Sequence, residues 1–298
     1  MEKKQNANKL ISSLVALSLA TTLGVPTIAL AEGTGDSVDG GGTSSGVVTP
    51  APQGEGEGGG TGSTTPVVPS QTFVKDANEL STALSSTNIT SISLSSDITL
   101  TESLAITRDV TIDLEGFGIT SADRIFNVQK GTLTLTGEGT IKTESDSIDS
   151  ASSVIRVGDG TDKTKADGQD AAGLVVGANV TIDAPNTHGI SVFGSKTKET
   201  VTINGTVNVE TKGCAAVTGN GSAQYGGTTI IVNSGAHLKS TNDYAIYHPQ
   251  AGTLTINGGE IIGKGGIEAK SGDTTISING SPTITATADQ TTHTEYNN

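Results

Sequence analysis

AIYHPQAGTLTINGGEIIGKGGIEAKSGDTTISING, residues 245–280, decides how this chain is read. Within it Leu254-Thr255-Ile256-Asn257 alternates apolar and polar side chains, and Ile276-Ser277-Ile278-Asn279 repeats the pattern 22 residues later. A period of two belongs to a strand with one face in an apolar core. Strands that copy each other at such a distance mark a repeat, in which each unit buries its apolar face against the next unit.

Working outward, three kinds of short apolar segment recur in fixed order. The first kind is IFNV at Ile125, VIRV at Ile155, ISVF at Ile190, AAVT at Ala216, AIYH at Ile246 and IEAK at Ile267, in steps of 30, 35, 26, 30 and 21 residues. The second kind begins at Leu133, Val201, Ile230, Leu254 and Ile276; the third begins at Thr140, Val180, Thr206, Ala236, Glu260 and Pro282. A unit of three strands and three turns, with insertions at the turns, predicts an all-β parallel β-helix whose inward Leu, Ile and Val stack at about 4.8 Å per coil. Only 3% of residues are aromatic and none is Trp, which suits a narrow aliphatic core.

Before the repeat the composition changes twice. Lys3, Lys4 and Lys9 precede an apolar run over residues 10–20, and Ala29-Leu30-Ala31 offers a small-x-small cleavage pattern, so residues 1–31 read as a signal peptide and the mature chain as secreted. Residues 32–70 carry 12 of the 40 glycines and four of the eight prolines, and are expected to be a disordered linker. A capping helix is expected next, with Asp76 at its N-cap, Glu79 reaching back, and Ala77, Leu80, Ala83 and Leu84 on one face. Residues 71–288 form the β-helix domain and residues 289–298 a polar tail. No later segment is apolar enough for a membrane span in the mature chain, and the single Cys214 leaves no intramolecular disulfide. A formal charge of -14 excludes the basic footprint that nucleic-acid binding needs.

VKDANELSTALSS, with the following ISLSSDITLTESLAITRDVTIDLEGFGIT, resembles the helical cap and first coil of right-handed, pectate-lyase-like β-helices. The stretch quoted first is similar to repeats of secreted or surface-displayed, adhesin-like β-helix proteins of Gram-positive bacteria. The resemblance spans residues 71–288 and implies fold more than activity, because the superfamily holds lyases, hydrolases, adhesins and structural spikes.

The enzymes of that superfamily use clustered Asp with calcium and a nearby base, or several Asp on one sheet. Here the outward positions of the first kind of strand read Asn127, Arg156, Ser191, a small residue near Ala216, Tyr247 and Glu268. The one acid and one base stand four coils apart, about 19 Å at the strand spacing, and do not match a catalytic set. Asp113 and Glu115 in RDVTIDLEG, which also holds Asp109, are expected on one outward face as solvated acids or as a carboxylate pair. Asp159, Asp162, Asp167 and Asp170 lie in an insertion rich in calcium-type ligands but off the EF-hand spacing, and are the metal candidates. His188, His237, His248 and His293 follow no metal-ligand spacing. Tyr244, Tyr247 and His248 form the densest exposed chemistry: two rings to stack on a sugar and an imidazole to bond its hydroxyls. Thr134, Thr202, Thr255 and Thr275 read as a structural hydroxyl ladder interrupted by Ile231 and by Asn204, Asn233, Asn257 and Asn279.

The expected function is that of a secreted, surface-associated module with an adhesin-like or structural role toward a glycan, cell-envelope or host-surface component, without catalysis. The alternative is a lyase or hydrolase on acidic polysaccharide. No cofactor is expected unless calcium binds. After the last strand segment only a polar tail follows, so the expectation is either that the chain is a portion of something longer or that this end of the solenoid meets a partner.

Overall fold

Alternation in the sequence becomes alternation of burial. In Val180–Ala184 the side chains of Val180, Ile182 and Ala184 are buried, while Thr181 and Asp183 face outward. The same rhythm holds in Gly131–Thr136, Thr200–Ile203 and Gly252–Ile256. A computed structural model describes residues 70–145, 147–158, 171–194, 198–219, 227–271 and 273–288, all within the compact unit Ser63–Asn298. The expected signal peptide, nearly all of the linker, the polar tail, His293 and the four Asp metal candidates lie outside these residues.

The described strands form three sheets of nine, eight and seven strands and pair in parallel throughout. The chain visits them in rotation: Val110–Asp113 lies in the nine-stranded sheet, Gly118–Ser121 in the eight-stranded sheet, Phe126–Val128 in the seven-stranded sheet, and Gly131–Thr136 returns to the first. This is a parallel β-solenoid. Its core is a set of columns, of which one runs Ile92, Ile112, Leu135, Val176, Ile203, Val232, Ile256 and Ile278, each residue paired in register with the next. All but the last are buried. At about 25 cal/mol per Å² of apolar area, stacking of this kind is the main source of cohesion, and the single Cys214 is free, so no disulfide adds to it.

Register also corrects the sequence reading. Val217, not Ala216, aligns with Ile190 and Ile246, so the small outward residue is Thr218. Phe126, not Ile125, aligns with Ile155 and is a fully buried ring. The repeat also includes Ala172–Val176, which belongs to none of the three kinds of segment read from the sequence, while Ile98–Leu100, Leu104–Ile106 and Gly118–Ser121 fall in the stretch expected as the first coil.

The helix spans Ala77–Ser85. Asp76 Oδ1 accepts from the Glu79 N–H at 2.9 Å, while Glu79 reaches one residue further back than expected, accepting from the Lys75 N–H at 3.1 Å. Its Leu80 and Ala83 are buried in the common core. An unexpected strand, Ser70–Val74, precedes it and pairs with Ile89–Leu94 at the edge of the nine-stranded sheet. No helix among the described residues is long and apolar enough to cross a membrane.

Candidate functional site

Side chains on the outer face of the seven-stranded sheet stand in one in-register row: Ala105, Asn127, Arg156, Ser191, Thr218, Tyr247 and Glu268. Size along that row shapes the surface. Ser191 and Thr218 are the small members between Arg156 and Tyr247, so two rungs of the sheet are left low. The depression is a cleft of about 550 Å³. Its floor is Ser191 and Thr218, Phe193 and Gly219 border one side, and Ser150, His188, Ala215, Asp243 and Tyr244 border the other, with Tyr247 at the end.

The aromatic walls are held from behind. The Arg156 guanidinium lies 4.2 Å from the centre of the Phe193 ring. Tyr244 and Tyr247 have ring centres 6.3 Å apart and planes tilted by 32°, and Lys270 Nζ lies 5.4 Å from the centre of the Tyr247 ring. Burial, and then the Glu268 carboxylate that accepts its hydrogen bond, pushes the Tyr244 hydroxyl up to about 12. Asp243 Oδ1 accepts from the Tyr244 N–H at 2.7 Å, which fixes the carboxylate at the rim.

His188 is a clamp between coils. Its Nδ1 accepts from the Ala215 N–H at 2.8 Å, so Nε2 must carry the proton, which it donates to the Ser150 carbonyl at 3.0 Å. Burial lowers its pKa and keeps it neutral. With both ring nitrogens engaged, it has no lone pair left for a substrate proton.

His248 does not join Tyr247. The alternation that turns Tyr247 outward turns His248 inward, where it is 1% exposed and its Nδ1–H donates to the Gln250 carbonyl at 2.9 Å. Its Nε2 is buried and finds no hydrogen-bond partner among the described residues, and burial lowers its pKa. The expected trio is therefore a pair, Tyr244 and Tyr247, to which the fold adds Ser191, Thr218, Phe193 and Asp243.

Other candidates fall elsewhere. Asp113 ends its strand, and Glu115 sits in the following turn at φ 50°, its N–H bonded to Asp113 Oδ1 at 3.1 Å. The strand ends at Asp113, but burial alternates on through buried Leu114 to exposed Glu115, so both acids face outward, one from the strand end and one from the turn. Thr134, Thr202 and Thr255 share one outward column with Val175 and Ile231, whereas Thr275 stands in the neighbouring column with Thr200, Thr229 and Thr253. Cys214 is buried, and burial pushes its thiol up to about 12. His237 lies 3.2 Å from Glu260, exposed on the eight-stranded sheet. Among the described residues no group of three or more His, Cys, Asp or Glu is placed to hold a metal ion.

Phe193 closes the segment ISVF without having been read as a site residue, and nothing in the sequence pointed to Ser150; both lie just outside strands, where periodicity carries no information. No family model, curated protein or solved structure gives a significant match to this chain.

Proposed function

We propose that the chain is a non-catalytic binding module, secreted or held at the cell surface, that takes a glycan of an envelope or host surface in the cleft of the seven-stranded sheet. One observation carries this reading: a two-rung hydroxyl floor, Ser191 and Thr218, set between Phe193 and the Tyr244–Tyr247 pair. A pyranose offers an apolar C–H face and a rim of hydroxyls, which suit aromatic walls and a floor of small donors and acceptors with one carboxylate, Asp243. The cleft volume lies within the range of small-molecule sites.

The solenoid is read as right-handed and pectate-lyase-like, with the helix Ala77–Ser85 as its cap. Support comes from the near-universal hand of parallel crossovers and from Leu80 and Ala83 in the core. Secretion follows from the basic and apolar character of residues 1–31. Cell fractionation tests the localisation: recovery in the cytoplasm overturns it, and recovery only in the medium overturns attachment.

The alternative, cleavage of an acidic polysaccharide, rests on Asp243 at the cleft. Against it, Arg156 and Glu268 are separated by four in-register steps, about 19 Å. His188, the histidine lining the cleft, spends both nitrogens on the backbone.

The test is a panel of neutral and acidic glycans, with and without calcium, read for both binding and products. Binding without turnover, weakened about tenfold by Tyr247→Ala, is the expected result. New reducing ends or unsaturated products would overturn the non-catalytic reading. Binding indifferent to Tyr247→Ala, or no binding at all, would overturn the site.

A further inference from the structure

Among the described residues that line the cleft of the seven-stranded sheet, one side chain carries a charge, Asp243. It stands between the strands His237–Ser240 and Ile246–His248 and is fixed there by its backbone. Its N–H donates to Ser240 Oγ at 3.2 Å, and its carbonyl accepts from the Lys264 N–H at 2.7 Å. Oδ1 is taken by the Tyr244 N–H, and among the described residues no cation forms an ion pair with the carboxylate.

The wall beside it is negative as well. The carboxylates of Asp149 and Asp243 both bear on His188 and on Cys214, and those of Glu268 and Asp243 bear on Tyr244. His188 brings no positive charge, because burial keeps it neutral and backbone groups occupy both of its nitrogens. The neighbouring cations are set back. Arg156 lies over the Phe193 ring, Lys270 is 3.8 Å from Glu268, and Lys198 and Lys212 are exposed and do not line the cleft. Lys196 lies outside the described residues.

We infer that the cleft selects a sugar carrying a free, protonated amine, a hexosamine without its N-acetyl group, over neutral and acidic sugars, with Asp243 as the specificity-determining residue. The inference rests on the reading of the cleft as a glycan site and names which glycan enters it. A carboxylate accepts a charge-assisted hydrogen bond from an ammonium, roughly twice as strong as a neutral one. The Tyr244 ring adds the attraction of an aromatic face for a cation. That ring is held ready: Gly265 packs against it with no room for a Cβ beside Cε1, and Glu268 accepts from its hydroxyl. An acetylated nitrogen brings no charge to Asp243, and a uronate brings a like one.

Isothermal titration calorimetry of the full chain with a β-1,4-linked glucosamine tetramer and with its N-acetylated counterpart tests this, at a pH where the amines are protonated and the carboxylate ionised. The unacetylated tetramer should bind about tenfold more tightly. Asp243→Asn, which keeps an acceptor for the Tyr244 N–H, should remove that advantage and leave the affinity for the acetylated tetramer unchanged. Glu102→Gln, at an exposed acid on a turn of an early coil, lowers the negative charge of the chain by the same amount and should keep the advantage. It thereby separates recognition in the cleft from the general attraction of an acidic chain for a polyamine. Added salt should shrink the advantage in the wild type, a readout that needs no variant. Equal binding of the two tetramers, a preference for an oligogalacturonate, or an advantage that survives Asp243→Asn or is lost equally with Glu102→Gln would overturn the inference. If Tyr247→Ala still weakens binding in those cases, the glycan reading stands without it. If neither tetramer binds but another glycan does so through Tyr247, amine selectivity falls alone; if no glycan binds, both fall.

Discussion

His188 shows how much one side chain can do between coils. Losing it strands the Ala215 N–H and the Ser150 carbonyl, at a cost of about 1–3 kcal/mol for partners left unsatisfied. Its pKa lies below the ordinary 6.5 because burial disfavours the charged ring, and His248 is lowered in the same way. The folded chain therefore binds fewer protons than the unfolded chain just below that value. The stability contributed is complete above 6.5 and drains away as the pH falls from there toward the folded pKa. Urea unfolding at about pH 7.5 and about pH 5.5 should show the wild type losing stability on acidification. His188→Gln should start lower and lose less; a wild type equally stable at both values would contradict the assignment. Tyr247 was legible as an outward residue because alternation fixes its face. The same rule, applied one residue further, places His248 inside, which the crowding of polar letters in 243–248 concealed.

At the scale of the strand and its turn, a line of side-chain amides adds a second order to the apolar columns. Asn233 both donates to Asn204 and accepts from Asn257, whereas among the described residues the Asn279 side chain only donates, to Asn257. Asn233→Ala should cost about 1–2 kcal/mol in urea unfolding and Asn279→Ala less than half of that. Equal costs would mean that the line contributes nothing as a line. Turns impose a stricter demand at Gly131, whose φ is 70° and where an added Cβ would lie 2.4 Å from the Arg108 carbonyl carbon. Gly131→Ala should destabilise by more than the roughly 1 kcal/mol of an ordinary helix-interior glycine exchange and is checked by the same unfolding curve. The three strand types were legible because each carries two or three alternating apolar residues. Ala172–Val176 escaped because AGLVV holds too little polar contrast to show a period of two. The cleft was half legible: Ser191, Thr218 and Tyr247 belong to strands, whereas Ser150, Phe193 and Tyr244 lie outside them.

For the solenoid as a whole, position along the stack sets the worth of a residue. Ile256 and Ile278 are neighbours in one column, the first fully buried and the second 58% exposed. Ile256→Ala should cost about 2–4 kcal/mol, and Ile278→Ala under about 1 kcal/mol, by thermal or chemical unfolding. All of these expectations rest on coils that stack in register, and a cysteine pair reports that register directly. Thr229 and Thr253 are partners on adjacent coils with their hydroxyl oxygens 3.2 Å apart, while Thr255 lies two residues out of step with Thr229. Under mild oxidation, Thr229→Cys with Thr253→Cys should form an intramolecular disulfide, and Thr229→Cys with Thr255→Cys should not. Equal cross-linking of both pairs, or cross-linking of the second alone, would contradict the stacking of these coils.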